Sequence, residues 1–401
     1  MAHITAPVLV VGASMGGLRF VENLRSRGFD GPIEIVGDEV HAPYNRPPLS
    51  KDVLHTATTI DELTFRRRAS TRHETWRLGE RVRQVRIADH VAVLDSGKEL
   101  RYTALAVATG LRPRTLETPG PTKGRFVLRT YDDAVALKTR LTPGIRVVVI
   151  GAGFIGCEVA CAAIRNGCTV TIVAPEAAPM IRPLGSVLAT ETLRHHESAG
   201  VQFRLGSGVR EFAGSRRVEE VVLSNGTVID ADIVVEAVGS IPNVEWLDGN
   251  ELDLSDGVLC DHWMRVEGLP DVVAIGDVAR FPNLRFDDIP RRVEHWSMPT
   301  ETARRAAEGL ATHLAGQPLP ASPFTPLPHF WSDQYGYRVQ GFGTLSLAEQ
   351  TSVLESDSSG SLVVGYFKAD RLVGVAGIHP RKDAHKLLKY RADVEATHHA
   401  A

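Results

Sequence analysis

Two long stretches of the chain repeat one pattern: an apolar run, then glycines, then apolar positions at helical spacing. The first stretch is "PVLVVGASMGGLRFVENLRSRGFDGPIEIVGDE" (7–39), and the second is "IRVVVIGAGFIGCEVACAAIRNGCTVTIVAPE" (145–176). A continuous β-branched run is typical of a parallel strand that is covered on both faces. Each stretch therefore predicts a strand, a glycine turn, a helix and a second strand. Two such units about 140 residues apart indicate two doubly wound domains, each able to hold a nucleotide.

Shorter apolar runs punctuated by glycine follow these two units. "LAVATG" (105–110) and "DIVVEAVGSIPN" (232–243) each predict a strand that ends in a glycine turn. "DVVAIGDVARF" (271–281) predicts a strand that ends at Gly-Asp and leads into a helix. The Pro-rich segment 315–330 is typical of a linker, and the stretch beyond it predicts a small sheet with a final helix over 382–396. The whole pattern predicts an α/β fold with two doubly wound, Rossmann-like dinucleotide-binding domains and a C-terminal α+β domain.

Length and composition narrow the function classes. The 401 residues leave room for two or three domains, and the composition, 43% hydrophobic and 23% charged, is ordinary for a globular protein. The formal net charge of −3 provides no overall basic field, so neither nucleic acid nor membrane is an expected partner. No apolar run approaches the roughly 18–20 residues of a membrane helix, and no signal peptide is evident. Four cysteines are too few for a disulfide scaffold, so we expect a cytoplasmic protein.

The first glycine turn, "VVGASMGGLRF" (10–20), fits two chemistries. Gly12-x-Ser14-x-Gly16 spells the nucleophile elbow of α/β-hydrolases. Gly12-x-Ser14-x-x-Gly17 is also a dinucleotide turn with serine at its middle position. The elbow normally follows several strands, and no acid and histidine stand in a suitable context after it, which disfavours the hydrolase. In a dinucleotide turn the helix N-terminal amides hold a pyrophosphate, and we interpret Ser14 as part of that cradle.

Two further features support a nucleotide site. The acid that a ribose hydroxyl requires about 20 residues further on is supplied by Asp38 or Glu39, after the strand "IEIV". The second glycine turn keeps the complete G-x-G-x-x-G pattern at Gly151, Gly153 and Gly156. One fingerprint of this kind is a weak signal, but two in one chain predict two nucleotide sites.

Several motifs together resemble a known family. The stretches "IEIVGDEVHAPYNRPPLSKDVL", "GAGFIGCEVA", "AIGDVARF", "VEHWSM" and "FWSDQYG" are similar to the FAD-dependent NAD(P)H:ferredoxin reductases of the rubredoxin and putidaredoxin reductase type. The resemblance covers essentially the whole chain and implies a glutathione-reductase-like fold. It implies that residues 1–111 and 242–320 form a FAD-binding domain in two parts. Residues 112–241 would bind NAD(P)H, and residues 321–401 would form a C-terminal domain that completes the flavin and partner face.

The resemblance implies contacts to FAD from most of these segments. The implied residues are Gly12, Ser14, Gly16, Gly17, Asp38, Arg46, Lys51, Val82, Thr109, Gly110, Arg129, Gly276, Asp277, Glu294, Trp296 and Trp331. Lys51 is expected beside the flavin, where a cation favours the anionic reduced form, with a solvated surface lysine as the alternative. Trp331 is expected to wall the flavin ring, with a core aromatic as the alternative.

The nucleotide-binding residues that the resemblance implies lie in the second unit. They are Gly151, Gly153, Phe154, Ile155, Gly156, Glu158, Glu176 and Gly239. Glu158 matches a family acid near the nicotinamide and is expected, with Lys51, to act in catalysis. Family members that prefer NADH carry an acid directly after the strand "VTIV", where this chain has Ala174, with Glu176 two places later. The nearest arginine for a 2′-phosphate is Arg182, so NADH is the expected donor and NADPH stays open.

The residues near the flavin also bear on the electron acceptor. "NRPPLSKDVL" has no cysteine, which argues against the redox pair of the disulfide reductases, and Cys157 and Cys161 are interpreted as packed thiols. The resemblance implies that electrons pass from the flavin, one at a time, to a [2Fe-2S] ferredoxin that serves an oxygenase. Such ferredoxins are acidic, so a locally basic exit face is expected. Its candidates, with a solvated helix face as the alternative, are Arg291, Arg292, Arg304 and Arg305.

Two other functions stay open at this level. An NAD(P)H oxidase on the same scaffold would use oxygen as its acceptor, whereas the lack of a candidate peroxidatic cysteine near the flavin argues against a peroxidase. A flavin-binding interaction protein, whose redox state switches its partners, is the second alternative. No metal site is expected, and the sequence leaves open whether the protein is a monomer or a homodimer.

Overall fold

Helices and strands alternate along most of the chain. The structure is a computed structural model that describes residues 6–71, 73–358 and 360–396. The α-helices of these residues are α1 Met15–Ser26, α2 Ile60–Leu63, α3 Tyr131–Lys138, α4 Phe154–Arg165, α5 Ile181–Ser198, α6 Met298–Leu314 and α7 Arg391–Ala396. Within the described ranges, every helix is too short or too polar to pass through a lipid bilayer.

In the described part of the chain the strands fall into seven sheets. Up to residue 242 they are β1 Val8–Val11, β2 Ile33–Gly37, β3 Thr75–Leu78, β4 Val82–Arg86, β5 Val91–Leu94, β6 Glu99–Arg101, β7 Ala104–Val107, β8 Leu111–Pro113, β9 Arg125–Phe126, β10 Arg146–Ile150, β11 Thr169–Ala174, β12 Gln202–Leu205, β13 Val209–Ala213, β14 Glu220–Leu223, β15 Val228–Asp230, β16 Ile233–Glu236 and β17 Ser240–Pro242. The later strands are β18 Val258–Leu259, β19 Val272–Ala274, β20 Ala279–Pro282, β21 Pro290–Arg292, β22 His329–Gln334, β23 Tyr337–Gly343, β24 Gln350–Ser356, β25 Leu362–Lys368 and β26 Arg371–Pro380.

Two five-stranded parallel sheets carry the two glycine-turn units. The first has the strand order β19-β7-β1-β2-β3, and the second has the order β12-β11-β10-β16-β9. Helix α1 connects β1 to β2 in the first sheet, and α4 connects β10 to β11 in the second. Every residue of β1 and β7 is buried, as expected for parallel strands that are covered on both faces. Because β19 follows the second sheet in the chain, the first sheet is complete only after the chain returns to it.

The C-terminal sheet is antiparallel throughout and lies against the second unit. Its strand order is β22-β23-β26-β25-β24. Side chains alternate along β22, so Phe330, Ser332 and Gln334 are buried while the residues between them are partly exposed. The ring of Phe330 lies 5.3 Å from the ring of Phe154 at the start of α4. This contact brings β22 to the N-terminus of the helix that follows the second glycine turn.

The predicted α/β fold, with two doubly wound units and a C-terminal sheet, is confirmed, and so is a final helix over 382–396, although most of it is of another helix type; two local predictions are wrong. The helix expected after Gly-Asp is one 3-10 turn, Gly276–Val278, because the next residues pair with β18 and β21 as β20. The turn expected near residue 240 contains β17, which pairs with β8. The final segment is mostly a 3-10 helix, Arg381–Tyr390, in which Ala384 and Leu387 are buried at the spacing of three that this helix favours.

Candidate functional site

The two glycine turns bend the chain at the same place in each unit. Gly12 has φ of +123° and Gly151 has φ of +101°, a region that other residues rarely adopt. A Cβ added to Gly12 would lie 2.0 Å from the carbonyl oxygen of Ala108, and one added to Gly151 would lie 2.3 Å from that of Ala237. Both positions therefore require glycine, since the backbone of a neighbouring strand end occupies the side-chain space.

The middle positions of the two turns have matching conformations. Ser14 has φ of −109° and ψ of −163°, and Gly153 has φ of −81° and ψ of −170°, so both are extended residues that serine tolerates. The Ser14 side chain makes no capping hydrogen bond to α1. A Cβ added to Gly153 would have no described atom within 4 Å. The space in front of each helix N-terminus is thus open to an anion, which the helix amides favour.

A cavity of about 570 Å³ runs from the first glycine turn to the start of α4. Its volume lies in the usual range of small-molecule sites. Of the residues predicted to bind cofactor, it is lined by Gly12, Ser14, Gly16, Asp38, Arg46, Lys51, Val82, Thr109, Gly110, Arg129, Phe154, Ile155, Glu158, Gly276, Asp277, Glu294, Trp296 and Trp331. The predicted residues that are not among its lining are Gly17, Gly151, Gly153, Gly156, Glu176 and Gly239. The cavity thus brings most of the residues that the resemblance assigns to FAD together with Phe154, Ile155 and Glu158 near the N-terminus of α4.

Lys51 and Glu158 form an ion pair on the wall of this cavity. The Lys51 Nζ atom lies 2.7 Å from Glu158 Oε2, and the two side chains are 17% and 4% exposed. Lys51 is therefore not a solvated surface lysine. Glu158 also accepts hydrogen bonds at 2.5 Å from the hydroxyls of Ser50 and Ser332. A buried carboxylate needs such donors, because an unpaired charge in the interior is very costly.

Asp38 and Glu39 at the end of β2 have different surroundings. Glu39 is bound by Arg46 and accepts a hydrogen bond at 2.5 Å from the Tyr44 hydroxyl. Burial raises the pKa of Tyr44, so this phenol keeps its proton and acts as a donor. Asp38 is exposed at the cavity wall. Of the two acids, Asp38 is the better placed to accept hydrogen bonds from a ribose.

Asp277 and Arg129 face each other across the cavity floor. The Arg129 Nη2 atom lies 3.6 Å from Asp277 Oδ2. Burial raises the pKa of the Asp277 carboxyl, although Arg129 opposes the shift, and burial together with nearby Arg46 lowers the pKa of Arg129. The Arg46 guanidinium donates at 2.7 Å to the backbone carbonyl of Arg129, which ties the "NRPPLSK" segment to this floor. The pair can hold a polar chain of hydroxyls such as a ribityl group.

Aromatic side chains close one end of the cavity. The rings of Trp296 and Trp331 are 5.4 Å apart and nearly perpendicular, and Trp296 Nε1 donates to Asn45 Oδ1 at 3.1 Å. Trp331 is partly exposed and lines the cavity, so it is not a core aromatic. On its outer side, the ring of His329 stacks on Trp331 at 5.6 Å and on Phe342 at 4.6 Å. These rings form a continuous row from the cavity to the next cleft.

That second cleft has a volume of about 820 Å³ and lies between α6 and the C-terminal sheet. Among the described residues, six arginines and three glutamates line it, so its lining has a formal excess of positive charge although several of the arginines are ion-paired. His329 and Phe342, the outer rings of the aromatic row, are also part of the lining. Burial and the nearby guanidinium groups of Arg391 and Arg338 lower the pKa of His329 to about 4, so at neutral pH its ring adds no charge. The two cavities therefore meet at Trp331 and His329.

The four arginines predicted for an exit face do not form one surface. Arg305 is only 6% exposed, because its guanidinium lies 3.3 Å from the centre of the Trp263 ring and donates to the carbonyl of His262 at 3.0 Å. Arg292 is 12% exposed and pairs with Asp256. Those two predictions are wrong, since both side chains are structural. The exposed members are Arg304 and, in part, Arg291.

The end of β11, where the resemblance predicts that ribose selectivity is set, carries an ion pair. Ala174 is buried, and Glu176 two places later pairs with Arg182 at 2.6 Å. Arg182 is 79% exposed and can leave this pair at small cost. The charge of Glu176 is thus partly neutralised by Arg182.

Sequence reasoning missed the two serines that bind Glu158. Ser50 belongs to the "RPPLSK" motif and Ser332 to "FWSDQYG", so both lay within motifs that carried the resemblance. Alternation along β22 could have indicated that Ser332 points inward with Phe330. The pairing itself joins residues 174 positions apart, and only the assembled fold reveals it.

Comparisons with known proteins agree along the whole chain. The profile described as pyridine nucleotide-disulphide oxidoreductase matches residues 6–306, and that of a reductase C-terminal domain matches residues 329–400. Rhodocoxin reductase of Rhodococcus erythropolis is 34% identical over 384 residues, which cover 94% of this chain and 87% of that protein. The anthranilate 1,2-dioxygenase system ferredoxin–NAD(+) reductase component of Burkholderia cepacia is 32% identical, with 94% and 92% covered. Among solved structures, the covalent putidaredoxin reductase–putidaredoxin complex aligns with a TM-score of 0.89 and 28% identity, covering 98% of this chain and 94% of that chain.

Proposed function

The chain belongs to the pyridine nucleotide-disulphide oxidoreductase family, and from this premise we propose that it passes electrons from NADH through FAD to a [2Fe-2S] ferredoxin that serves an oxygenase. One observation carries the proposal: a single cavity joins the first phosphate cradle, the Lys51–Glu158 pair and an aromatic wall at Trp331. On this proposal residues 1–111 and 242–320 hold FAD, 112–241 hold the nicotinamide nucleotide, and 321–401 close the site.

The residues of the cavity fit a flavin dinucleotide. The space before α1, bounded by Gly12 and Ser14, would take the pyrophosphate, and Asp38 would take the adenosine ribose. Asp277 and Arg129 would hold the ribityl chain. When bound, FAD supplies the chemistry that the side chains lack, because it accepts two electrons from NADH and releases them singly.

The polar side chains near the ring have positioning and electrostatic roles. Lys51 places a positive charge where negative charge develops, and Glu158 holds that ammonium in place from inside the protein. Trp331 and Trp296 exclude water from the ring and limit its tilt. With FAD and NADH bound, no side chain would be required to move a proton, so the residues of the cavity would serve to align the two groups and to exclude water.

NADH would bind in the second unit. The open space before α4, at Gly153, receives its pyrophosphate, and Phe154 and Ile155 at the start of α4 face the flavin cavity. Glu176 is the acid available for the ribose hydroxyls, but its pairing with Arg182 weakens the discrimination against NADPH. We therefore expect a preference for NADH that is modest.

The basic cleft beside the flavin cavity suits an acidic acceptor protein. Its arginines complement acidic side chains, and the row of Trp331, His329 and Phe342 leads from the flavin cavity to its wall. Of the four arginines predicted for an exit face, Arg304 on α6 both lines this cleft and reaches solvent, since its side chain is 60% exposed. A disulfide route has no support, because no cysteine is among the described residues of the cavity lining.

A visible spectrum followed by anaerobic titration tests the proposal. The purified protein should show a flavin spectrum, NADH should bleach it at lower concentration than NADPH, and an oxidised [2Fe-2S] ferredoxin should restore it. A colourless protein that takes up no FAD refutes the whole assignment. Rapid reoxidation by oxygen that ferredoxin cannot outcompete would instead identify an NAD(P)H oxidase, and slow reoxidation by every acceptor would identify a redox-switched interaction protein.

A further inference from the structure

A continuous row of buried hydrogen bonds leads from His196 on α5 to Glu158. The Tyr335 hydroxyl lies 3.3 Å from His196 Nδ1, and His196 Nε2 lies 2.8 Å from Gln334 Oε1. Gln334 Nε2 lies 2.8 Å from Ser332 Oγ, and Ser332 Oγ lies 2.5 Å from Glu158 Oε1. His196 and Ser332 are fully buried, and Gln334 and Glu158 are each 4% exposed.

The direction of every donor in this row is fixed from its carboxylate end. A carboxylate only accepts, so Ser332 spends its one proton on Glu158 and must accept from the Gln334 amide nitrogen. The Gln334 carbonyl then faces His196 and only accepts, so the proton of a neutral His196 is on Nε2. Nδ1 is left to accept from the Tyr335 hydroxyl. All the donors therefore point along the row toward Glu158.

The surroundings of His196 keep this direction stable. Burial is the main cause that lowers the pKa of His196 to about 4, with a smaller contribution from His195. The ring is therefore neutral at physiological pH and cannot donate from both nitrogens. A row of aligned donors in a dry interior favours negative charge at its end more than a single donor does.

We propose that Ser332, Gln334 and His196 are positioning residues, which hold the Glu158 carboxylate in the orientation that fixes the Lys51 ammonium at the flavin cavity. Glu158 divides its two oxygens: Oε1 accepts from this row, while Oε2 accepts from Lys51 and Ser50. Without the row, Oε1 loses its donor and only Ser50 and Lys51, both at Oε2, still hold the carboxylate, so its plane and the position of the Lys51 ammonium are less tightly fixed. The C-terminal sheet thus contributes to the reaction through Glu158. This inference rests on the proposed function, since it assigns the row a role toward bound flavin.

The first experiment reads the hydrogen bonds without any flavin chemistry. The full-length protein, labelled with nitrogen-15 histidine, is examined by NMR at pH 7, and the His196 signals are identified by their loss in His196→Phe. The expected result is a single neutral tautomer with the proton on Nε2. A proton on Nδ1, or a mixture of both tautomers, would reverse the row and overturn the proposal.

The second experiment measures anaerobic reduction of the bound flavin by rapid mixing with NADH. Ser332→Ala should lower the limiting rate about tenfold, as a small misplacement of a reacting geometry does, while the Kd of NADH changes less than twofold. Gln334→Met should lower the same rate about threefold. The double variant should be no slower than Ser332→Ala, because Gln334 acts only through Ser332.

Thr192→Val is the matched control. Thr192 is buried on α5 one turn before His196, but its hydroxyl donates to the Leu188 carbonyl at 2.9 Å and not to the row. It should lose stability and keep the wild-type rate. An unchanged rate in Ser332→Ala, or additive losses in the double variant, would overturn the proposal. If Ser332→Ala takes up no FAD, the limiting rate of Gln334→Met is the test, and an unchanged rate in that variant would overturn the proposal. A wild-type flavin that NADH does not reduce would refute the proposed function, while the NMR result would still decide whether the row exists.

Discussion

Alanine at two of the three glycines of the second turn, Gly151 and Gly153, separates the stability of the turn from its capacity to bind nucleotide. Gly151 has φ of +101°, and a Cβ there would lie 2.3 Å from the carbonyl oxygen of Ala237. Gly153, two residues away, has φ of −81°, and a Cβ there would have no described atom within 4 Å. Gly151→Ala therefore forces the backbone to move, whereas Gly153→Ala only fills open space in front of α4.

The expected magnitudes follow from these distances. Gly151→Ala combines a left-handed backbone strain of about 1–3 kcal/mol with an overpacking cost of similar size, so roughly 2–6 kcal/mol of unfolding free energy is lost. Gly153→Ala has neither cost, and the gain of about 0.4–1 kcal/mol from restricting the unfolded chain is offset by alanine being a poorer N-cap of α4 than glycine, so its stability should stay near that of the wild type. Its methyl group would prevent the closest approach of a pyrophosphate to the α4 amides and, unlike the Ser14 hydroxyl in the first turn, could donate no hydrogen bond to it, so NAD(P) affinity should fall about tenfold.

The assay pairs chemical unfolding at saturating FAD with titration of NAD+ into each variant. Gly153→Ala should unfold with the wild type and bind NAD+ more weakly, while Gly151→Ala should unfold at much lower denaturant. Equal losses of stability in both variants would show that the space before α4 is not open. Wild-type affinity for NAD+ in Gly153→Ala would show that the pyrophosphate does not pass this residue.

Three further predictions follow from the site. Lys51→Met should slow flavin reduction at least about tenfold in rapid mixing and leave Glu158 as a buried unpaired charge, so adding Glu158→Gln should restore part of the lost melting temperature. Arg304→Glu should raise the KM for ferredoxin and weaken the salt dependence of that KM, at unchanged stability. Arg305→Glu should lower the melting temperature, because the Arg305 side chain is buried. Equal melting temperatures of the two variants would contradict the assignment. Between pH about 4 and about 6.5, His196 binds a proton in the unfolded chain but stays neutral in the folded protein, so the free energy of unfolding should rise with pH. In thermal melts, His196→Asn should flatten this rise of stability with pH.

The sequence by itself determined the parts of the molecule that depend on local constraints. A strand, a glycine turn and a helix are specified within about 20 residues. At Gly12 and Gly151 only glycine fits the bend, because the end of a neighbouring strand occupies the space of a side chain. Most of the residues predicted to bind FAD line one cavity, through motifs that each lie within one short segment, while their contacts to FAD stay a prediction. Ser14 could be interpreted as a cradle residue for the same reason, since its neighbours already define the turn.

Tertiary structure alone decided which distant residues meet. Arg304 and Arg305 are adjacent in sequence, but their positions on α6 turn one toward solvent and the other onto Trp263. Glu158 Oε1 accepts a hydrogen bond from Ser332 on β22, and nothing local to either residue indicates that pairing. Such contacts depend on how two sheets and a helix dock, and docking is set by the sum of many apolar contacts spread along the chain.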